Sequence, residues 1–224
     1  MAIRIVAFDL YGTLLDIGAL VNVLRAHTPM PEAALDAWRQ RQLQLANAAA
    51  SSARYMDFDR VTLLALTEIA PRFHMKLQPE DVKKLIDAWA HLPAFPDALA
   101  GLDAASRRWF NPVVLTNAVA STARNALAFA GLGAQVNHVF SADAVKSYKP
   151  KQQVYMQLTS LGVEPAEVLF VSANDWDATG ARQVGFHTVW VTRRRSGLAV
   201  KPERKIDDLT ELDALLHEYE LAVP

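Results

Sequence analysis

Cysteine is absent. The chain therefore has no disulfide framework, no zinc–thiolate site and no thiol nucleophile. A surplus of one charge is missing too: 23 Lys+Arg stand against 24 Asp+Glu, a formal charge of −1. Nucleic-acid binders and anionic-membrane binders usually carry a basic excess, so neither partner is expected. No apolar run reaches the roughly 20 residues of a membrane span. The six histidines show no H-x-H or H-E-x-x-H spacing, so none is assigned to metal or catalysis. The opening, Met1 to Asp9, lacks a signal-peptide h-region and a small-residue cleavage site. The expectation is a cytoplasmic protein acting on a small molecule. What is present is ordinary globular composition, 51% hydrophobic and 21% charged, which excludes disorder. A chain of 224 residues suits one domain, or one domain carrying a large insertion.

Four short apolar runs end in polar residues. Residues 3–8 break at Asp9, and Gly12-Thr13 then allows a sharp turn. Residues 112–115 end at Thr116-Asn117, 168–171 at Ser172-Ala173-Asn174, and 188–191 at Thr192-Arg193. Helical patterns lie between them at 121–130, 152–161 and 175–184. Fully apolar strands alternating with helices argue an α/β, Rossmann-like doubly wound parallel sheet. The stretch 16–93 has no convincing strand and four helical windows, near 17–25, 32–49, 58–69 and 79–91. That is far more than one crossover needs. The expected organisation is a core of 1–15 and 94–224, with 16–93 a helical cap inserted after strand one. Arg193-Arg194-Arg195 reads as a solvated loop, and Gly131-Leu132-Gly133 as a helix-terminating turn rather than a dinucleotide loop.

Ligands of open α/β sheets bind beyond the carboxyl ends of the strands. Asp9, Thr116-Asn117 and Ser172-Asn174 would converge there, joined by Lys149 and Asp177. A carboxylate, a lysine, hydroxyls and amides at one site make the equipment of covalent carboxylate catalysis. Singly each is weak, since a strand-end Asp is often only a helix cap.

These residues resemble a known family. Asp9-Leu10-Tyr11-Gly12-Thr13-Leu14-Leu15-Asp16, then Thr116-Asn117, Lys149-Pro150 and Asn174-Asp175-Trp176-Asp177, are similar in order to the four motifs of the haloacid dehalogenase superfamily. Within it, magnesium-dependent phosphatases carry a second Asp two residues after the nucleophile, where this chain has Tyr11. The sequence instead resembles the (S)-2-haloacid dehalogenase branch. Trp38-Arg39-Gln40-Arg41-Gln42, Arg54-Tyr55-Met56-Asp57-Phe58 and the ten residues Ser172 to Ala181 carry that likeness, which includes the helical insertion.

The resemblance implies a hydrolase that displaces halide from 2-haloalkanoic acids, with water as second substrate and no cofactor or metal. Asp9 would attack C2 and form an ester with inversion, and water would then release the (R)-2-hydroxy acid. Lys149 would supply the counter-charge, and Asp177 would orient or deprotonate the water. Thr13, Ser172 and Asn174 would fix the nucleophile and its ester. Thr116, with Asn117, would hold the substrate carboxylate or halide, and Arg39 would receive the departing halide. Leu10, Tyr11, Leu43, Phe58, Tyr155 and Trp176 would line the pocket, although Phe58, Tyr155 and Trp176 could equally be core. Branch members usually place aromatic residues after the Arg39 motif. Here Leu45-Ala46-Asn47-Ala48-Ala49 takes their place, which predicts room for longer acids. Family members are often dimers, so a homodimer is implied as well. The rival readings are a magnesium-dependent phosphatase or phosphonate hydrolase, and a non-catalytic scaffold that binds a partner protein.

Overall fold

The computed structural model describes residues 3–51, 55–107, 111–193 and 203–221. Strand β1, Ile5–Phe8, is apolar and buried at every position. It is followed by a 3-10 turn at Ile17–Ala19 and the helices α1 (Leu20–Leu24), α2 (Pro31–Ser51), α3 (Phe58–Ile69) and α4 (Pro79–Asp87). Then come α5 (Ala98–Arg107), β2 (Asn111–Thr116), α6 (Ala120–Phe129), β3 (His138–Ser141) and α7 (Gln152–Tyr155). The chain closes with β4 (Val168–Ser172), α8 (Asp175–Gln183), β5 (His187–Val191), β6 (Arg204–Ile206) and α9 (Leu212–Leu221).

The strands form one parallel sheet in the order β3-β2-β1-β4-β5-β6. Phe8 is level with Val114 and with Val171. Asp9, Thr116 and Ser172 therefore leave the sheet at its carboxyl edge on three adjacent strands. Strands β3 and β6 are absent from the sequence reading. Both are edge strands, and an edge strand need not be apolar throughout. His138 is exposed, and Arg204-Lys205 are exposed as well. The helix expected over 152–161 stops at Tyr155 and continues as a 3-10 helix over Met156–Leu161.

Local signals explain the helices between β1 and β2. The Asp57 carboxylate accepts the Arg60 amide at 2.8 Å and caps α3. Pro79 opens α4, and the Asp81 carboxylate accepts the Gln78 amide at 3.0 Å. Trp38 and Trp89 bury their rings edge to face, centroids 5.4 Å apart, and Tyr11 meets Trp89 at 5.6 Å. One aromatic chain thus runs from the helices onto the loop that follows β1. Leu15 and Ala94 pair as an isolated antiparallel bridge where the chain leaves and re-enters the sheet layer. Among the described residues no helix is long and apolar enough to cross a membrane.

The aromatic chain yields a test. Trp89→Ala should cost about 3–5 kcal/mol in urea unfolding, since it removes a buried ring that touches two others. The Trp89 indole N–H is buried without a partner, so Trp89→Phe should cost clearly less. Equal losses would show that the ring contacts are not what holds the helices to the β1 loop.

Candidate active site

Asp9 is the first residue past β1, and its backbone N–H donates to the Val171 carbonyl at 2.9 Å. Asp9 is 7% exposed, and its carboxylate is saturated unevenly. Oδ2 accepts from Asn174 Nδ2 at 2.8 Å and from Thr13 Oγ1 at 3.1 Å. Oδ1 accepts from Lys149 Nζ at 3.0 Å. A carboxylate offers about four lone-pair positions, so Oδ1 keeps the freer one. Gly12 makes the turn below it: its φ of +88° is a conformation that side chains disfavour.

Lys149 is 2% exposed and also donates to Asp177 Oδ2 at 2.9 Å. Its backbone N–H donates to Asn117 Oδ1 at 2.9 Å, so Asn117 anchors the loop that carries it. Burial pulls the ammonium down, but the carboxylates of Asp177 and Asp9 outweigh burial and hold it above its usual range. Asp177 is fully buried in the first turn of α8. Tyr155 Oη donates to its Oδ1 at 2.7 Å and Ser172 Oγ to its Oδ2 at 3.2 Å. Burial pushes the Asp177 carboxyl up to about 6; Lys149 opposes this and the Asp9 charge adds to it. Tyr155 is pushed upward by burial and by Asp177, so its phenol stays a donor. Its ring packs edge on against Phe170 and Phe186, so it serves core and site together.

Two cavities take in some of the remaining candidates. One, of about 200 Å³, takes in Arg39, Leu43, Gly12 and Asn174. The other, of about 210 Å³, takes in Tyr11, Phe58, Asp59, Thr122 and Ala118. Thr122 donates to Asp59 at 2.7 Å, joining α6 to α3 across it. Tyr11 Oη donates to the Trp89 carbonyl at 3.2 Å, and burial pushes its phenol upward. Thr116 is buried and accepts the Ala118 amide at 3.2 Å. Leu10 is buried beneath the turn, its carbonyl accepting from Leu14. Trp176 is half-buried at the start of α8.

Two expectations change. Of the α2 residues from Arg39 onward, the first cavity takes Arg39 and Leu43, while Asn47 is exposed. The helix has carried Asn47 about 12 Å past Arg39 along its axis, so the small-residue tract does not widen that cavity. Arg193 is no solvated loop residue: its side chain is 11% exposed and ion-paired with Asp97. Arg194 and Arg195 lie outside the described residues. Gly180 was also not singled out. A Cβ there would lie 2.6 Å from Tyr155 Oη and 2.7 Å from Pro150 Cβ, so glycine lets α8 approach both. The sequence signal for it was only its place in the ten-residue run.

Comparison with known proteins adds the following. A family model described as haloacid dehalogenase-like hydrolase matches residues 3–185. (S)-2-haloacid dehalogenase 1 of Pseudomonas sp. strain CBS-3 is 37% identical over 221 residues, 96% of each chain. (S)-2-haloacid dehalogenase of Pseudomonas sp. strain YL is 32% identical, covering 98% of this chain and 96% of its own. The structure of L-2-haloacid dehalogenase from Xanthobacter autotrophicus with chloropropionic acid covalently bound superposes with a TM-score of 0.89. It is 28% identical and covers 96% of this chain and 98% of that one.

The Asp177 environment gives a direct test. Tyr155→Phe keeps the ring packing and removes the donor that favours the ionised carboxyl. The Asp177 carboxyl, followed by carbon NMR of labelled protein, should titrate higher in the variant than in the wild type. An unchanged or lower value would show that the phenol does not act on this carboxylate.

Proposed function

The chain belongs to the haloacid dehalogenase-like hydrolases, and from that premise we propose that it is an (S)-2-haloacid dehalogenase, a hydrolase of carbon–halide bonds. The observation that carries this is the Lys149 ammonium shared between Asp9 and Asp177 beside a half-satisfied Asp9 oxygen. Asp9 Oδ1 attacks C2 of the haloacid from the face opposite the halogen. The C–X pair leaves with the halide, and the ester forms with inversion. Water then adds to the Asp9 carboxyl carbon, giving its proton to Asp177. The Cγ–Oδ1 bond breaks as Asp177 returns its proton to Oδ1, the (R)-2-hydroxy acid departs with Oδ1, and the proton left on the new Asp9 carboxyl passes to solvent. Asp9 regains a carboxylate containing one oxygen from water.

Each neighbour has a part in this scheme. Thr13 and Asn174 hold Oδ2 through both steps, and Ser172 holds Asp177. Thr116 and Asn117, with the backbone of Leu10 and Tyr11, receive the substrate carboxylate. Arg39 takes the halide from the cavity it shares with Leu43 and Asn174; Phe58, in the Tyr11 cavity, and Trp176 limit the apolar side, while Tyr155 is fully buried and acts through Asp177 instead. Residues 16–93 act as a cap over a core of 1–15 and 94–224. The proposed compartment is the cytoplasm and the proposed assembly a homodimer, the latter carried by the family resemblance. The phosphatase reading is the weaker one. Magnesium chemistry would want a carboxylate where Tyr11 is tied to the Trp89 carbonyl, and Lys149 already neutralises Asp9. Among the described residues no group of three or more His, Asp or Glu side chains is placed to hold a metal.

The test is halide release from (S)-2-chloropropionate. Release is expected with and without chelator, and the (R) acid should be refused. Phosphate-ester turnover that needs magnesium would defeat the reading. In a single turnover in heavy-oxygen water, label should enter Asp9 before the product. Asp177→Asn should accumulate a covalent Asp9 adduct visible by mass spectrometry. Asp177 must be ionised to accept the proton, and its carboxyl stands near 6. Ester hydrolysis should therefore fall as pH drops through about 6, approaching tenfold per unit below it. A flat profile between pH 5 and 8 would remove Asp177 from that step.

A further inference from the structure

Arg193 stands just beyond β5, and no step above uses it. Its guanidinium forms a two-pronged pair with Asp97, Nη1–Oδ2 at 2.6 Å and Nη2–Oδ1 at 2.7 Å. Nη2 also donates to the backbone carbonyl of Thr13 at 3.0 Å. The guanidinium carbon lies 4.1 Å from the centre of the Phe95 ring. Asp97 accepts the Leu209 amide at 2.7 Å as well. Burial pushes the Asp97 carboxyl upward, but Arg193 and that amide outweigh it and hold it below its usual range. A buried ion pair is by itself weak support for stability, because desolvation offsets the attraction. Its placement is the informative part. Thr13 lies on the chain leaving the sheet layer, and Phe95 and Asp97 lie on the chain returning to it. The two segments touch between them: the Asp16 amide donates to the Pro93 carbonyl, and the Phe95 amide to the Leu14 carbonyl, both at 2.9 Å. One side chain grips both. The segment it grips on the outgoing side also carries Thr13 Oγ1, which donates to Asp9 Oδ2 and accepts the Ala173 amide at 2.9 Å.

We propose that Arg193 is a positioning residue: by holding the Thr13 carbonyl against Asp97, it fixes the Thr13 hydroxyl on Asp9 Oδ2 and so keeps Oδ1 aimed at the substrate. Arginine suits this because its planar fork reaches two acceptors at once in fixed directions. A lysine at the same place has one flexible ammonium, whose rotatable donors do not set two acceptors in fixed directions. The inference rests on the reading of Asp9 as the nucleophile.

Arg193→Lys, Arg193→Ala and a control, Leu216→Ala, should be compared. Leu216 is fully buried on α9 and belongs to no part of the proposed site. With (S)-2-chloropropionate, Arg193→Lys should lower kcat about tenfold or more while KM stays within about threefold. Arg193→Ala should lower kcat further if it folds. Leu216→Ala should keep kcat at a temperature where it remains folded. A second readout needs no substrate. Amide hydrogen exchange should accelerate at Leu14, Leu15 and Ala173 in Arg193→Lys and not in Leu216→Ala. Wild-type kcat in Arg193→Lys, or an equal loss in Leu216→Ala, overturns the proposal. If the wild-type chain releases no halide, the dehalogenase reading falls, and the exchange comparison alone decides for or against Arg193.

Discussion

One buried ammonium between two carboxylates organises the molecule. Lys149 touches both Asp9 and Asp177 and is 2% exposed. Two negative charges and one positive charge leave an excess of negative charge in a poorly solvated place, and the excess must fall somewhere. It falls on Asp177, which is fully enclosed and shifted upward, whereas Asp9 is the less enclosed of the two. The asymmetry sorts the two acids: the one that reaches solvent suits a nucleophile, and the enclosed one, poised near 6, suits a base. Removing Lys149 would leave two like charges facing each other, so neither role could survive alone.

The rest of the architecture delivers these three groups to one point. Parallel strands end together, so β1, β2 and β4 bring Asp9, Thr116 and Ser172 to one edge without any long loop. Lys149 comes from the segment after β3, and Asn117, just past β2, receives its backbone N–H. Helix α8 comes close enough to place Asp177 because Gly180 has no side chain to strike Tyr155 and Pro150. The same loop that presents Asp9 starts the long helical excursion, so the seam at Leu15 and Ala94 lies a few residues from the nucleophile. A clamp at the seam therefore acts close to Asp9.

Much of this was legible in the sequence, for stated reasons. Strands β1, β2, β4 and β5 are apolar and end in polar residues, so their periodicity and their ends were visible. β3 and β6 lie at the sheet edges, with exposed His138, Arg204 and Lys205, and nothing local marks them as strands. Helix α3 was readable at both ends, since Asp57 caps it and its apolar face repeats. Asp9, Lys149 and Asp177 were readable as strand-end and loop polar residues in a known order. Arg193 was not. Its partner Asp97 lies 96 residues away, and within a run of three arginines the composition pointed to solvent. Asn47 misled for a different reason: a tract can follow a site residue in sequence while the helix carries it past the site in space.

The hydrogen bonds to Asp9 also explain why the proposed ester is hydrolysed at the enzyme carbon rather than at C2. Attack at the Asp9 carboxyl carbon places negative charge on Oδ2. That oxygen already holds Asn174 Nδ2 at 2.8 Å and Thr13 Oγ1 at 3.1 Å. Donors fixed where charge develops stabilise a tetrahedral intermediate without reorganising. Attack by water at C2 would instead expel the Asp9 carboxylate, whose charge is shared between Oδ1 and Oδ2, so these donors would meet only part of it. In the first step the same two donors occupy Oδ2 and leave Oδ1 to act. A single arrangement therefore selects the nucleophilic oxygen, and then, once the ester has formed, becomes the oxyanion site that breaks it.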